Sequence, residues 1–473
     1  MTASTEGRTS LVAGYLQRIA DQCADDRSGK VADYIPELAA VDPDQYGLSL
    51  CAHDGYLYSV GDTTTEFTIQ SMSKPLTYAM VLGRHGSDVV DAKIGVEPSG
   101  EAFNEISVDS RRRPRNPMIN AGAITAASLL LPQHREVEPG VVDEAFTELV
   151  EFYSACAGRR LTIDDEAYLS EKSTGSRNRA IAYMLDSFGV LGTDPDAALD
   201  LYFRQCSLRV TTEDLAVVGV TIACGGVNPR TGRRVFSRRT AQRLLSVMTT
   251  CGMYDGAGDW VTSVGIPAKS GVGGGILGSL PGQLGIGVFS PRLDDHGNSV
   301  RGVDTYRHLS ADLGLHMFNI TRESRVTIRA VYDIGEFEIG TEWTGAQRAR
   351  LRGCRDRVRV YELQGDLTFS GAESVLRRID LDIDACDIVI VEISRIDVID
   401  PVARRMVLGA GSTLAERGKR VLLVDPDGVV REGLRRVENG SGEDSSSKIT
   451  LPHVHSTMEA AVADAESIQL EGV

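Results

Sequence analysis

Positive charge is in deficit in this chain. Lys and Arg number 50 against 66 Asp and Glu, a formal net charge of −16. Proteins that hold nucleic acid usually present a basic stripe, so this balance argues against such a partner. The one basic run, RRRPR at 111–115, is short enough to be a solvated loop. Long apolar runs are also lacking: none approaches the roughly 20 residues that cross a bilayer. The opening MTASTEGRTS is polar and has no signal-peptide core. The expectation is a cytoplasmic protein with no membrane and no nucleic-acid partner. The eight cysteines form no CxxC pair, which indicates neither zinc nor a disulfide framework. There is no HExxH; His453 and His455, two apart, are expected on an exposed segment rather than at a metal. No internal repeat is found.

The chain has 473 residues, long for one core, and two or three domains are expected. With 42% hydrophobic and 25% charged residues it reads as globular. Residues 34–70 read as short strands and turns, with a hairpin around Asp54-Gly55 in YGLSLCAHDGYLYSVGD. Helices dominate from there to about 250. NAGAITAASLLLP is apolar all round and reads as a buried helix ended by Pro132. VVDEAFTELVEFYSACAG has helical periodicity and a C-cap at Gly158. TTEDLAVVGVTIACGG has a Thr/Asp start and a Gly-Gly stop. Strand character returns at 262–290, read as two strands joined through Leu280-Pro281-Gly282. Strands flanking a helical middle make an α+β or α/β layered design. After about 322 the pattern becomes an α/β module: VRVYELQGDLTF, DIVIVEIS and KRVLLVD as strands, and PVARRMVLGAGSTLAERG as a helix with Pro401 in its first turn. The stretch ENGSGEDSSSK, 438–448, reads as a mobile loop.

The stretch FTIQSMSKPLTYAM, 67–80, carries the first chemistry. Ser71 and Lys74 are three apart and share a helix face, while Ser73 and Lys74 diverge. Pro75 is tolerated near a first turn, which places the helix start close to Ser71, at the positive end of the dipole. A serine hydroxyl attacks only once a base has taken its proton, and a lysine is such a base only if its pKa falls. Ser-x-x-Lys alone is better explained by a helix start with an exposed lysine. A second motif changes that balance. Lys269-Ser270-Gly271, in PAKSGVGGG, stands in strand context. Serine acyl-enzymes of the penicillin-recognising fold pair Ser-x-x-Lys with a Lys-[Ser/Thr]-Gly edge strand that supplies an oxyanion N–H. The run Gly273-Gly274-Gly275 lacks the Lys-Ser/Thr and helix of a phosphate loop.

From about 29 to 321 the chain resembles the serine-dependent glutaminase family, which has the β-lactamase-like fold. The resemblance is carried by GKVADYIPELA, QSMSKPLTYA, EPSG with Phe103-Asn104, NPMINAGAI, EKSTGSRNRAIAYML, LYFRQCS, CGMYD and PAKSGVGGGI, in family order. It implies Ser71 as nucleophile, Lys74 as its base, Tyr254 as proton relay to the departing ammonia and Tyr34 as a second phenol at the dyad. It implies Asn120, Glu171, Asn178 and Tyr202 as substrate ligands, with Ser71 and Tyr254 also touching substrate. Val272 would give an oxyanion N–H beside that of Ser71. Glu171 suits the α-ammonium of glutamine; Asn120, Asn178 and Tyr202 can hold its carboxylate and amide. Singly, each has a plainer reading: Asn120 as a helix cap, Glu171 and Asn178 as a solvated pair two turns apart on one helix face, Tyr202 and Tyr254 as ordinary half-buried phenols. Ser73, Lys269, Ser270 and Gly271 are expected to be supporting structure. The implied reaction is hydrolysis of L-glutamine to L-glutamate and ammonia through a γ-glutamyl ester, with no metal or organic cofactor. The family usually forms dimers or tetramers, so a homodimer or homotetramer is expected.

From about 355 to 465 the chain resembles a STAS domain, carried by VYELQGDLTFSGAE, DIVIVEISRIDVIDPVARRM and GKRVLLVDPDG. Regulatory members carry a phosphorylatable serine at the start of the helix after ID. Here the turn is Ile399-Asp400-Pro401-Val402-Ala403, with no serine, so a switch of that kind is not expected. A protein partner of this domain and a passive stabilising role both stay open. The expected organisation is multidomain, mixing α/β and α+β: a catalytic domain at 1–321 like the β-lactamases and penicillin-binding proteins (antiparallel sheet plus helical subdomain), a connector at 322–354, a STAS-like α/β domain at 355–465 and a tail at 466–473. Two rival functions remain: a β-lactamase or peptidase relative, and a glutamine-sensing regulator that signals through the STAS module.

Overall fold

The structure, a computed structural model, describes residues 11–99, 107–134, 137–138, 140–319, 327–340, 342–428, 430 and 453–472. The Phe103-Asn104 pair and the polar stretch 438–448 lie outside the described residues. The chain runs α1 (Leu11–Cys23), α2 (Pro36–Ala39), β1 (Gly47–Ala52), β2 (Leu57–Gly61) and β3 (Phe67–Thr68) into a 3₁₀ turn, Gln70–Ser73. Then follow α3 (Lys74–Lys93), α4 (Asn120–Ser128), α5 (Val141–Ala157), β4 (Thr162–Ile163), α6 (Asp165–Thr174), α7 (Ser176–Ser187), α8 (Pro195–Cys206) and β5 (Leu208–Val210). Next come α9 (Thr212–Ala223), α10 (Arg238–Cys251), a 3₁₀ turn Tyr254–Gly256 and α11 (Ala257–Ser263). β6 (Ala268–Ser270), β7 (Gly275–Leu280), β8 (Leu284–Phe289) and α12 (Val300–Leu313) complete this part. Two compact units result: one comprises Leu16–Ala311 with Leu315–Phe318, the other is built mainly from the described residues after Asn319.

The first unit is organised on an antiparallel sheet of order β2-β1-β8-β7-β6. The Asp54-Gly55 turn joins β1 to β2 as its sequence predicts, with the Ala52 N–H donating to Tyr56 O. The stretch 262–290 holds three strands rather than two, because the glycine run itself turns the chain. Gly271 N–H donates to Gly275 O and Gly274 N–H to Gly271 O, and Gly274 has a left-handed φ of 95°. Helix α9 begins with a reciprocal capping box between Thr211 and Asp214. It lies on one sheet face at backbone distance: a Cβ on Gly285 would meet Ala216 O at 2.1 Å, and one on Gly219 would meet Gly278 O at 2.2 Å. On the other face Tyr306 of α12 sets its hydroxyl 3.2 Å from Ile276 O and 3.1 Å from Ile286 O. With both faces covered, β7 and β8 are buried throughout. A small sheet of order β3-β5-β4 sits among the helices, and β3 leads straight into the turn that carries Ser71.

The second unit contains β9 (Ile328–Asp333), α13 (Gly345–Arg352), β10 (Val358–Leu367), α14 (Phe369–Asp382), β11 (Ile388–Ile399), α15 (Pro401–Glu416), β12 (Arg420–Val424), β13 (His453–His455) and α16 (Met458–Glu471). Its sheet has the order β13-β12-β11-β10-β9, with β10 to β13 parallel and β9 antiparallel at the edge. Part of the stretch 322–354 therefore belongs to this sheet, and α16 runs on through 466–471. Ile388 and Ile390 pack with Val358, Val360, Leu422 and Val424 under Ala461, Val462 and Ala465 of α16. The Asp400 carboxylate accepts from Val402 N–H at 2.7 Å and caps α15, with Pro401 in the first turn. His453 and His455 both bond the same carboxylate oxygen of Asp464, at 3.0 and 2.9 Å.

Candidate active site

Ser71 is the second residue of the 3₁₀ turn that opens α3, and Lys74 is the first residue of α3 itself. Its N–H is thus one that a helix start leaves without an internal acceptor. Gln70, just before it, holds a left-handed φ of 48°, a conformation that a non-glycine residue keeps only where its surroundings impose it. Its amide donates to Thr68 Oγ1 at 3.3 Å.

The Lys74 side chain is fully buried, and its Nζ donates to Asn120 Oδ1 at 2.7 Å. Asn120 opens α4 and passes the contact on: its Nδ2 donates to Asn178 Oδ1 at 2.9 Å. Asn120 is therefore a bridge between the lysine and α7, not a cap. Among the described residues no carboxylate forms an ion pair with Lys74. Burial brings its pKa down to about 8, opposed by Cys206 and Glu171.

Ser73 is wholly embedded. Its hydroxyl donates to Gln70 O at 2.6 Å and lies 3.3 Å from Gln205 Nε2, while Tyr153 Oη donates to Ser73 O at 2.7 Å. It holds the turn together.

Glu171 lies on α6 and Asn178 on α7, separated at Gly175, so the two are not on one continuous helix face. A Cβ on Gly175 would meet the Phe203 ring at 2.5 Å, which is why the break is a glycine. Burial pushes the Glu171 carboxyl up to about 7, against a hydrogen bond from Gln70 and the charge of Lys74; Glu37 adds to the rise. Tyr202, on α8, is buried, and burial first, then Cys206 and Glu171, hold its phenol well above the usual range.

Tyr254 begins the second 3₁₀ turn with a left-handed φ of 57°. Its hydroxyl donates to Ser270 O at 3.0 Å. Burial raises its pKa, with Ser71 and then Ser270 opposing through hydrogen bonding. Lys269 of edge strand β6 is fully buried, donates to the same Ser270 O at 2.6 Å, and sets its Nζ 4.0 Å from the Tyr254 ring centre. Burial, then the charge of Lys74, holds this amine well below the ordinary lysine value.

Val272 sits in the β6–β7 turn, packed with Ile35 and Leu38. Among the described residues no acceptor is bonded to its N–H. That packing also places Tyr34. Tyr34 as a whole residue is 48% exposed, while burial first, and then Glu171, Cys206 and Tyr254, hold its phenol well above the usual range.

The structure thus brings all nine sequence-predicted residues (Tyr34, Ser71, Lys74, Asn120, Glu171, Asn178, Tyr202, Tyr254 and Val272) into one region. It adds two that the motifs did not single out for chemistry. Gln70 is conspicuous only through its φ and its bond to Glu171, neither of which a glutamine announces in sequence. Lys269 was visible as a motif member, but not its seat on the Tyr254 ring. Among the described residues no group of three or more His, Cys, Asp or Glu is placed to hold a metal ion.

A buried lysine one turn from a serine at a helix start, facing a Lys-Ser-Gly edge strand, is the plan of serine hydrolases with the β-lactamase-like fold. Residues 29–318 match the Glutaminase family, and residues 353–446 match the STAS domain. The chain belongs to the glutaminase family, hydrolases of glutamine, and carries a STAS domain later in the sequence. It is 41% identical over 423 residues to the glutaminase of Corynebacterium glutamicum, covering 89% of this chain and 96% of that protein. It is 46% identical over 368 residues to Glutaminase 1 of Bradyrhizobium diazoefficiens, 77% of this chain but only 59% of that protein's length. Among solved structures, that of Mglu is 42% identical, with a TM-score of 0.64 over 88% of this chain and 98% of that one. The probable glutaminase ybaS is 38% identical, with a TM-score of 0.62 over 66% of this chain. Among the described residues no helix is long and apolar enough to cross a membrane.

Proposed function

We propose that this chain hydrolyses L-glutamine to L-glutamate and ammonia, with Ser71 as nucleophile and Lys74 as its base. The observation that carries the reading is Lys74: a buried amine near the serine, bonded to an amide oxygen rather than a carboxylate, with a pKa of about 8. About one molecule in ten then has a neutral amine at pH 7, enough to accept a proton. The Ser71 hydroxyl attacks the side-chain amide carbon as its proton passes to Lys74. The N–H groups of Ser71 and Val272 hold the oxyanion; one such donor is worth about 10²–10³ in rate. Tyr254 gives its phenolic proton to the leaving nitrogen and is reprotonated from the Lys74 ammonium, so the proton lost by Ser71 leaves on ammonia. Water, deprotonated by the same lysine, then cleaves the γ-glutamyl ester.

Glu171 pairs with the substrate's α-ammonium, which draws its carboxyl back to the ionised form. Asn120, Asn178 and Tyr202 hold the remaining polar groups, and Tyr34 closes the rim over the dyad. One solved structure of Mglu is in a glutamate form, which fits a site of this chemistry binding the product. The reading extends to a cytoplasmic homodimer or homotetramer, to a catalytic domain at 1–321 and a STAS-like domain at 355–465, and to a protein partner for the latter. The deciding experiment is trapping with a glutamine-like electrophile and mass spectrometry: the adduct should be on Ser71, and an adduct on Ser73 or elsewhere would overturn the assignment.

A further inference from the structure

Away from the serine site, a cleft of about 840 Å³ opens between α5, β4 and the loop at 231–233. That volume lies in the range, roughly 300–1,000 Å³, that small-molecule sites occupy. Its apolar walls come from Phe146, Val150, Leu161 and Ile163. Three arginines line it, and they are not equivalent. Arg159 is committed: its Nε and Nη2 bond the two carboxylate oxygens of Asp214, each at 2.6 Å, and Nη2 also reaches Glu66 at 3.4 Å. The guanidinium groups of Arg160 and Arg233 have no hydrogen-bond or ion-pair partner among the described residues. The Arg233 charge reaches Cys156 and opposes the rise that burial imposes on that thiol, so it acts toward the protein. One acid, Glu151, shares the lining. Two uncommitted guanidiniums against one carboxylate, over an apolar wall, suit a single negative charge on an apolar body better than a compact polyanion.

The cleft is also tied to the turn that holds Ser71. Its wall residues Thr162 and Ile163 form β4, which pairs with β5, which pairs with β3; Arg209 is the common partner of Thr162 and Thr68. Thr68 in turn accepts from the amide of Gln70, the residue before Ser71.

We propose that this cleft binds a small monocarboxylate with an aromatic or branched aliphatic body, and that its occupancy is coupled through β4, β5 and β3 to turnover at Ser71. The coupling rests on Ser71 being the nucleophile; the binding does not. The test uses the full chain, 3-phenylpropionate as the probe and inorganic phosphate as the control. Calorimetry should show saturable binding with a Kd of about 1 mM or below. Glutamine should not compete, and the probe should change kcat or KM by about fivefold. The double variant Arg160→Ala/Arg233→Ala, checked for an unchanged Tm, should bind the probe about tenfold more weakly or worse. Equal affinity in that variant, competition by glutamine, or equally tight binding of inorganic phosphate would overturn the site. Binding that leaves kcat and KM unmoved would overturn the coupling. A chain that releases no ammonia from glutamine would count against the Ser71 reading, and calorimetry would still decide the cleft.

Discussion

The amine of Lys269 stands 4.0 Å from the centre of the Tyr254 ring, and both side chains donate to one acceptor, the carbonyl of Ser270. When the phenol turns its proton toward a leaving nitrogen, Lys269 keeps that buried carbonyl bonded. Lys269→Met should therefore lower kcat by about tenfold or more while KM moves little. In a Tyr254→Phe background the same substitution should cost almost nothing further, because its partner is gone. Losses that multiply independently in the double variant would place Lys269 in the packing alone, and Lys269→Arg gives a check on folding.

The acid limb of the pH profile should contain two groups. Burial holds the Glu171 carboxyl at about 7, so it becomes neutral as pH falls through that value and can no longer pair with an ammonium. KM should rise on acidification. Burial holds Lys74 at about 8, and only its neutral form accepts a proton, so kcat should rise as pH climbs through 8. Together they give log kcat/KM a slope of about two below pH 7, about one between pH 7 and 8, and a plateau above. Glu171→Gln should remove the KM dependence and keep a kcat dependence that moves to lower pH, because the carboxylate that raises Lys74 is gone. A profile with its maximum below pH 6 would contradict both assignments.

The two serines of the turn should separate cleanly. Ser71→Ala should reduce ammonia release by about 10³-fold or more and abolish labelling by an electrophile. Ser73 makes its bonds to Gln70 O and Gln205 Nε2 inside the protein. Ser73→Ala should keep most turnover and lower the urea midpoint, at a cost of about 1 kcal/mol. The reverse pattern would move the nucleophile two residues along the chain.

Some of this was legible in residue order and some was not, for physical reasons. The Thr211–Asp214 capping box, the Asp54-Gly55 hairpin and the Gly158 C-cap are local, so a few neighbouring residues specify them. The Ser-x-x-Lys and Lys-Ser-Gly motifs are equally compact. The stretch 262–290 reads as two strands because the strand context of Lys269-Ser270-Gly271 does not by itself show that Gly271 to Gly274 close a turn before the next strand. Glu171 and Asn178 have helical spacing, and the break between them falls at Gly175, where the ring of Phe203, distant in sequence, leaves no room for a Cβ. The bond from Lys74 to Asn120 and the left-handed backbones of Gln70 and Tyr254 depend on tertiary surroundings that no local pattern encodes.

The glycines of β8 give a test of how the sheet and α9 hold the site. Gly285 lies where a Cβ would meet Ala216 O and Val220 N, both at 2.1 Å, and these are backbone atoms of α9 that no side-chain rotation can move. Gly285→Ala must therefore lift the helix from the sheet, exposing apolar surface and loosening the scaffold behind β7 and β6. The loss should exceed about 3 kcal/mol, the upper end of what overpacking usually costs, and should appear as a large fall in Tm or as insoluble protein. Gly83, inside α3, has nothing within 4 Å of its missing Cβ and has an ordinary φ. There the same substitution removes a helix-interior glycine and should raise stability by up to about 1 kcal/mol. Thermal melts of the two variants against the parent decide it. A tolerated Gly285→Ala would mean that α9 does not sit on the sheet at backbone distance.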